Sequence, residues 1–414
     1  MARRGANRRT MTAVAALALV APMALAACGG GSGGGTASGS GDDNVLNVQD
    51  YYNDEPGNTF YQKLDESCAK EQGMTIKRQA IPGGSLIAKV LQQSSSRTLP
   101  DVLMLDNPDL QQIAASGALA PLGDFGITAE GYAKGVVDAS TYEGKLYGLQ
   151  PATNTIALFY NKDILAKAGV TPPATWDELK AAATKLTAGD QYGVAFSAIN
   201  TYEGTWQFLP FMWSNGGDEK NIATPETAAA LQLWVDLVKD GSASNSVVNW
   251  EQADVNDQFK AGKAAMMVNG PWQEPVLDAT QGLNYGIVPI PVPKAGDTAV
   301  APLGGETYTV PQTGNKAKQA KAAKFVQCLN SDANMTLNAT TNHTVPTKTS
   351  VAATYATANP NMQTFVDLVP SLRARTGELG ADWPKQATKI YTAVQSAITG
   401  GQSPTQALAQ AQNG

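Results

Sequence analysis

The chain has 414 residues, with 30 Lys and Arg against 36 Asp and Glu, for a formal charge of −6. An acidic balance argues against nucleic acid or an anionic lipid surface as a partner, and the length allows two or three domains. A single histidine, His343, removes the imidazole that most zinc sites and Ser/His or Cys/His catalysts draw on, and no HExxH, P-loop or GxGxxG after a strand occurs.

Arg3, Arg4, Arg8 and Arg9 make a basic flank, and residues 11–27 follow as an uncharged apolar run. The run is shorter than the roughly 20 residues of a permanent membrane helix. Basic flank, short apolar core and small residues before a cut site predict a cleaved signal over residues 1–27. Leu25-Ala26-Ala27-Cys28 resembles the lipobox of bacterial lipoproteins. That resemblance implies that Cys28 is acylated (palmitate being the usual label) and becomes the first residue. Residues 28–43 would then comprise the lipidated Cys and a Gly/Ser tether, with no side chains to bury. Gly30-Gly31-Ser32-Gly33-Gly34 fits G-x-S-x-G formally, but that elbow needs a strand before it and a helix after it. Cleavage would leave 387 residues and shift the formal charge from −6 to −10, because the four arginines are the leader's only charges.

Residues 45–49 alternate as a strand, and residues 59–72 read as an amphipathic helix with Phe60, Leu64 and Cys68 at four-residue spacing. A strand over 74–81, a helix over 85–93 and a short strand over 101–106 with an apolar interior follow. The last of these fits a strand buried on both faces of a parallel sheet. Pro108 opens another helix. This alternation indicates an α/β lobe. A second block starts near Lys145, with a strand over 155–160, a helix over 162–168, and a helix N-capped by Thr175 with Asp177 and Glu178 in its first turn. Residues 203–259 are helix-rich and Trp-rich. Strands return over 264–269, 283–289 and 307–310. Helices close the chain over 316–329, 361–368, 383–399 and 403–412. Cys68 and Cys328 both sit on predicted helices, where outside the cytoplasm they either pair or remain free and buried.

Several ordered segments resemble one family. They are Gly144-Lys145-Leu146-Tyr147-Gly148-Leu149-Gln150-Pro151, Leu158-Phe159-Tyr160-Asn161-Lys162-Asp163, and Pro173-Ala174-Thr175-Trp176-Asp177-Glu178-Leu179. Further on come Phe259-Lys260-Ala261-Gly262-Lys263-Ala264-Ala265-Met266 with Asn269-Gly270-Pro271-Trp272, and finally the segment from Gly400 to Leu408. Together they are similar to the extracellular solute-binding proteins of carbohydrate ABC importers, the family that includes maltose-binding protein. The resemblance implies an α/β, two-lobed periplasmic-binding-protein-like fold of type II, its lobes joined by crossover strands around a cleft that closes on ligand. One lobe would hold residues 44–150 plus 285–330, the other 151–284 plus 331–414. That split puts Cys68 and Cys328 on helices of one lobe and favours their pairing. The resemblance also implies a non-enzymatic, monomeric receptor without cofactor or metal. It would be held by its N-terminal lipid to the outer face of the cell membrane and would hand its ligand to the permease subunits of an importer.

A sugar offers C–H faces for aromatic stacking and a rim of hydroxyls for carboxylates, amides and arginine. Ligands of open α/β sheets sit at the carboxyl ends of strands. The candidates there are Tyr51 and Tyr52, Asp106 and Asn107, Trp272, and Gly305 and Glu306 beside the strand over 307–310. Ser85 opens a helix, Trp206 and Trp213 lie two turns apart, and Arg373 and Arg375 share a polar loop. Each also has a structural reading, as a helix-start residue, a core tryptophan or a surface charge. Alternatives to a sugar receptor are the same fold binding a glycerol phosphoester or a polyamine, or an exported carbohydrate-active enzyme with two carboxylates across a scissile bond.

Overall fold

The structure is a computed structural model that describes residues 44–53 and 55–414. The signal, the Cys28 lipidation site and the tether up to residue 43 lie outside the described residues. In chain order the principal strands are β1 (Val45–Asp50), β2 (Thr75–Ala80), β3 (Val102–Asp106), β4 (Gly148–Leu149), β5 (Ala157–Asn161), β6 (Tyr192–Ala195), β7 (Ala264–Asn269), β8 (Tyr285–Val288) and β9 (Glu306–Thr309). The helices around them include α1 (Gly57–Glu71), α2 (Gly83–Ser96), α3 (Tyr202–Ser214), α4 (Lys316–Leu329) and α5 (Trp383–Ile398).

The strands form two sheets, and these define two lobes. The first runs β2-β1-β3-β9-β4, with β1 parallel to β2 and β3, and β9 antiparallel to β3 and β4. The second runs β8-β5-β7-β6. Both sheets are covered on two faces, which explains their continuous apolar strands. On β3, Val102 and Met104 join one core with Leu46, Val48 and Phe325, while Leu103 and Leu105 join another with Val90 and Ile113. On β5, Leu158 packs with Phe208, Trp234 and Ile390, and Phe159 packs on the other side with Met267 and Phe365. The resemblance implies that residues 285–288 lie in the first lobe. They pair instead with β5, Ile287 opposite Phe159, and so belong to the second sheet.

Predicted boundaries hold to within a few residues in most elements, and the cap at Thr175 forms a full capping box with Glu178. The helix expected at Pro108 begins as a 3-10 turn over Asn107–Asp109. Cys68 and Cys328 form a disulfide that ties α1 to α4, with their Cα atoms 5.7 Å apart.

The chain crosses between sheets from β4 to β5, and again from β8 to β9. These crossings are laced together. The Gln150 amide donates to the carbonyls of Ala152 and Gly304, the Thr153 hydroxyl donates to Gly304, and the Thr155 hydroxyl donates to Pro302. Gly304 and Gly305 permit this approach. A Cβ on Gly304 would lie 2.0 Å from the Asn154 side chain, and one on Gly305, at φ +112°, would lie 2.2 Å from Gln150.

Candidate functional site

A cavity of about 810 Å³ opens between the two lobes beside the crossings. Its first wall comes from the C-terminal ends of first-sheet strands. Tyr51 and Tyr52 follow β1, and Tyr52 stacks on Tyr61 of α1 with ring centroids 3.7 Å apart. Asp106 ends β3 and stands in register with Glu306, the first residue of β9. The Tyr51 hydroxyl donates to Glu306 at 2.5 Å. Burial pushes the Glu306 acid up, Asp106 adds to the rise, and Tyr51, Tyr52 and Arg375 oppose it. The Tyr51 and Tyr52 hydroxyls are raised by burial first and by Glu306 second, so both remain donors.

The second wall is built on α3. Thr201 caps this helix by accepting from the Glu203 N–H, and Gln207 bridges the Ser197 N–H and the Val268 carbonyl, fixing the helix to the ends of the second sheet. This anchoring sets Trp206 at the cavity floor, its ring against Gly304. The Arg375 guanidinium lies 4.6 Å from the Trp206 ring centroid and donates to both Asp106 oxygens, at 3.0 and 2.7 Å. Such stacked, bidentate geometry is specific to arginine. Trp272 follows β7, half-buried on the cavity wall, and its ring folds back over Gly270, where a Cβ would lie 2.0 Å from it.

The structure thus brings Tyr51, Tyr52, Asp106, Trp206, Trp272, Gly305, Glu306 and Arg375 to one cavity. It does not bring Ser85, Asn107, Trp213 or Arg373 to its lining. Ser85 is exposed on the first turn of α2, and Gly83 lines the wall there instead. Asn107 is buried behind the site, accepting from Arg375 at 3.2 Å, so it braces that guanidinium. Trp213 is 4 % exposed in the second lobe's core and donates to Glu219. Arg373 lies over the Trp213 ring and pairs with Glu219 at 2.8 Å.

Sequence reasoning missed Asp109, Asn154, Tyr202, Glu203, Glu251 and Tyr391, all on the lining. The cap at Thr201 ahead of a Trp-rich helix was a usable signal for Tyr202 and Glu203. Asp109 is buried, its Oδ1 has no partner among the described residues, and burial followed by Asp106 pushes its acid up to about 7, with Arg375 opposing. Among the described residues, no cluster of His, Cys, Asp or Glu suits a metal ion.

The sequence model of the bacterial extracellular solute-binding protein family matches residues 63–364. The galactooligosaccharide-binding protein of Bacillus subtilis (strain 168) is 24% identical over 359 residues, covering 83% of this chain and 82% of that protein. Among solved structures, the GacH receptor of Streptomyces glaucescens, determined unliganded and with acarbose, is 27% identical with a TM-score of 0.77. That match covers 89% of this chain and 96% of the other. A maltose-bound T. maritima protein, MalE3, shares the fold at a TM-score of 0.80 and 24% identity, over 89% of this chain and 98% of its own.

Proposed function

Because the chain belongs to the family of bacterial extracellular solute-binding proteins, we propose that it captures a mono- or oligosaccharide in its interlobe cavity and delivers it to an ABC importer. The observation that carries the reading is the pairing of aromatic faces with a fixed polar rim in one cavity. Trp206 and Trp272 supply flat apolar surface, while Asp106, Glu306 and Arg375 supply oriented donors and acceptors. A sugar ring presents both kinds of surface, and the cavity lies within the size range of small-molecule sites. The sugar-binding relatives and the acarbose-bound neighbour support the same reading. Tyr51 and Tyr52 complete the aromatic wall, and Gly305 lets β9 approach the ligand closely. Rotation of the lobes about the laced crossings would close the cavity.

The Leu25-Ala26-Ala27-Cys28 motif supports acylation at Cys28 and attachment to the outer face of the membrane. Isothermal titration with a panel of mono- and oligosaccharides, glycerol phosphoesters and spermidine tests the reading. At least one saccharide binds with micromolar or tighter affinity and is recovered chemically unchanged. Binding confined to a phosphoester or spermidine, or release of a smaller sugar, rejects it.

A further inference from the structure

The charges that line the cavity do not balance. Its described acids are Asp106, Asp109, Glu203, Glu251 and Glu306, and its described cation is Arg375 alone. That cation is already committed, since both Asp106 oxygens accept from its guanidinium. Glu306 has a phenol donor in Tyr51, and Glu203 accepts one backbone N–H from Gln252. Asp109 has a buried oxygen with no partner among the described residues, and Arg375 Nε is likewise buried and unpartnered. Carboxylates taken out of water without a counter-charge are unfavourable, so such a wall either binds protons or waits for a cation. Burial raises the acids of Glu306, Asp109 and Glu203 alike.

A neutral sugar answers this wall with hydroxyl donors but leaves its charge in place. A protonated amine supplies both the donors and the missing charge. The aromatic residues of the cavity favour the same group, because a cation over the face of Trp or Tyr is attracted by the ring's negative π-face. Trp272 and Tyr202 line the cavity from the second lobe, and Glu306 and Asp109 line it from the first. Resting on the sugar-receptor reading above, we infer that the cleft is selective for a cationic saccharide, an amino sugar or an oligosaccharide that contains one. Its ammonium sits against the Glu306–Asp109 side, and its rings lie on the tryptophans.

The test is titration calorimetry at pH 6 with a trimer of glucosamine, its fully N-acetylated counterpart and maltotriose, with spermidine as a non-sugar amine. The two chitin-type trimers have the same length and linkage and differ in the charge and acylation of their amines. The glucosamine trimer binds at least tenfold more tightly than the acetylated trimer, and Glu306→Gln reduces that ratio at least threefold. If Glu306→Gln fails to fold by circular dichroism, the wild-type ratio is read at pH 6 and pH 8 instead: it falls as the trimer's amines lose their protons, and an unchanged ratio overturns the inference. Equal or tighter binding of the acetylated trimer or maltotriose overturns the inference and leaves the sugar receptor standing. Spermidine binding above every saccharide, or no saccharide binding at all, overturns both.

Discussion

Asp106 and Glu306 are register partners across the antiparallel pair of β3 and β9, two carboxyl groups side by side on the cavity's first wall. Like charges directly opposite one another destabilise a sheet. Here Arg375 takes one partner and Tyr51 donates to the other. Removing Arg375 exposes the conflict. Arg375→Met weakens saccharide binding at least tenfold, about 1.4 kcal/mol, and lowers the melting temperature. Arg375→Lys restores neither in full, because lysine lacks the planar fork that stacks on Trp206 and spans both Asp106 oxygens. Titration and thermal unfolding of both variants decide it, and wild-type affinity in Arg375→Met would detach the guanidinium from the ligand.

Trp272 and Trp213 separate binding from folding. Trp272 stands half-buried on the cavity wall, so Trp272→Ala reduces affinity at least tenfold with little change in melting temperature. Trp213 is buried and hydrogen-bonded to Glu219, so Trp213→Ala costs about 3–5 kcal/mol of stability while the folded fraction binds normally. Chemical denaturation beside titration reads both, and the reverse assignment of effects would refute this division.

The Cys68–Cys328 bridge closes a segment of 260 residues. Restricting so long a loop in the unfolded chain stabilises the protein by about 3–5 kcal/mol. Reduction, or the Cys68→Ala/Cys328→Ala pair, lowers the melting temperature by several degrees. Indifference to reductant in a thermal melt would contradict the expectation.

Asp109 gives the stability a pH dependence with a definite sign. Its acid is raised from 3.8 to about 7, so the folded state favours the neutral form. The associated stabilisation is complete below about pH 4 and is lost as pH rises through about 7. Asp109→Asn cannot ionise and so shows a smaller fall in melting temperature between pH 5 and pH 8 than the wild type. Identical falls in the two proteins would exclude Asp109 as the source.

The fold was legible where local rules dominate. The apolar run over 101–106 identified a strand covered on both faces, and Thr175 with Glu178 marked a helix start that the structure closes as a capping box. At the site, the strand-end rule located Asp106 and Trp272 on the wall. Depth along a helix was not legible. Trp206 and Trp213, seven residues apart, share a helix face and both join the second lobe's core, yet only Trp206 also reaches the cavity. The same ambiguity split Arg373 from Arg375, each seated on a different one of those tryptophans. Asp109 and Tyr391 were invisible because nothing in their local pattern shows that distant segments meet there.

The lacing of the crossings limits how the lobes can move. Gln150, Thr153 and Thr155 on the outgoing strand all donate to carbonyls of Gly304 and Pro302 on the return. One strand therefore cannot bend freely while the other stays fixed, since that would sacrifice several buried bonds together. The two crossings would therefore turn together in any movement of the lobes. Arg373, hydrogen-bonded through its backbone to Ala301 and Leu303, ties the arginine-bearing loop to the return crossing. The same loop therefore joins the crossings to the first lobe, because Arg375 donates to both Asp106 oxygens at the end of β3.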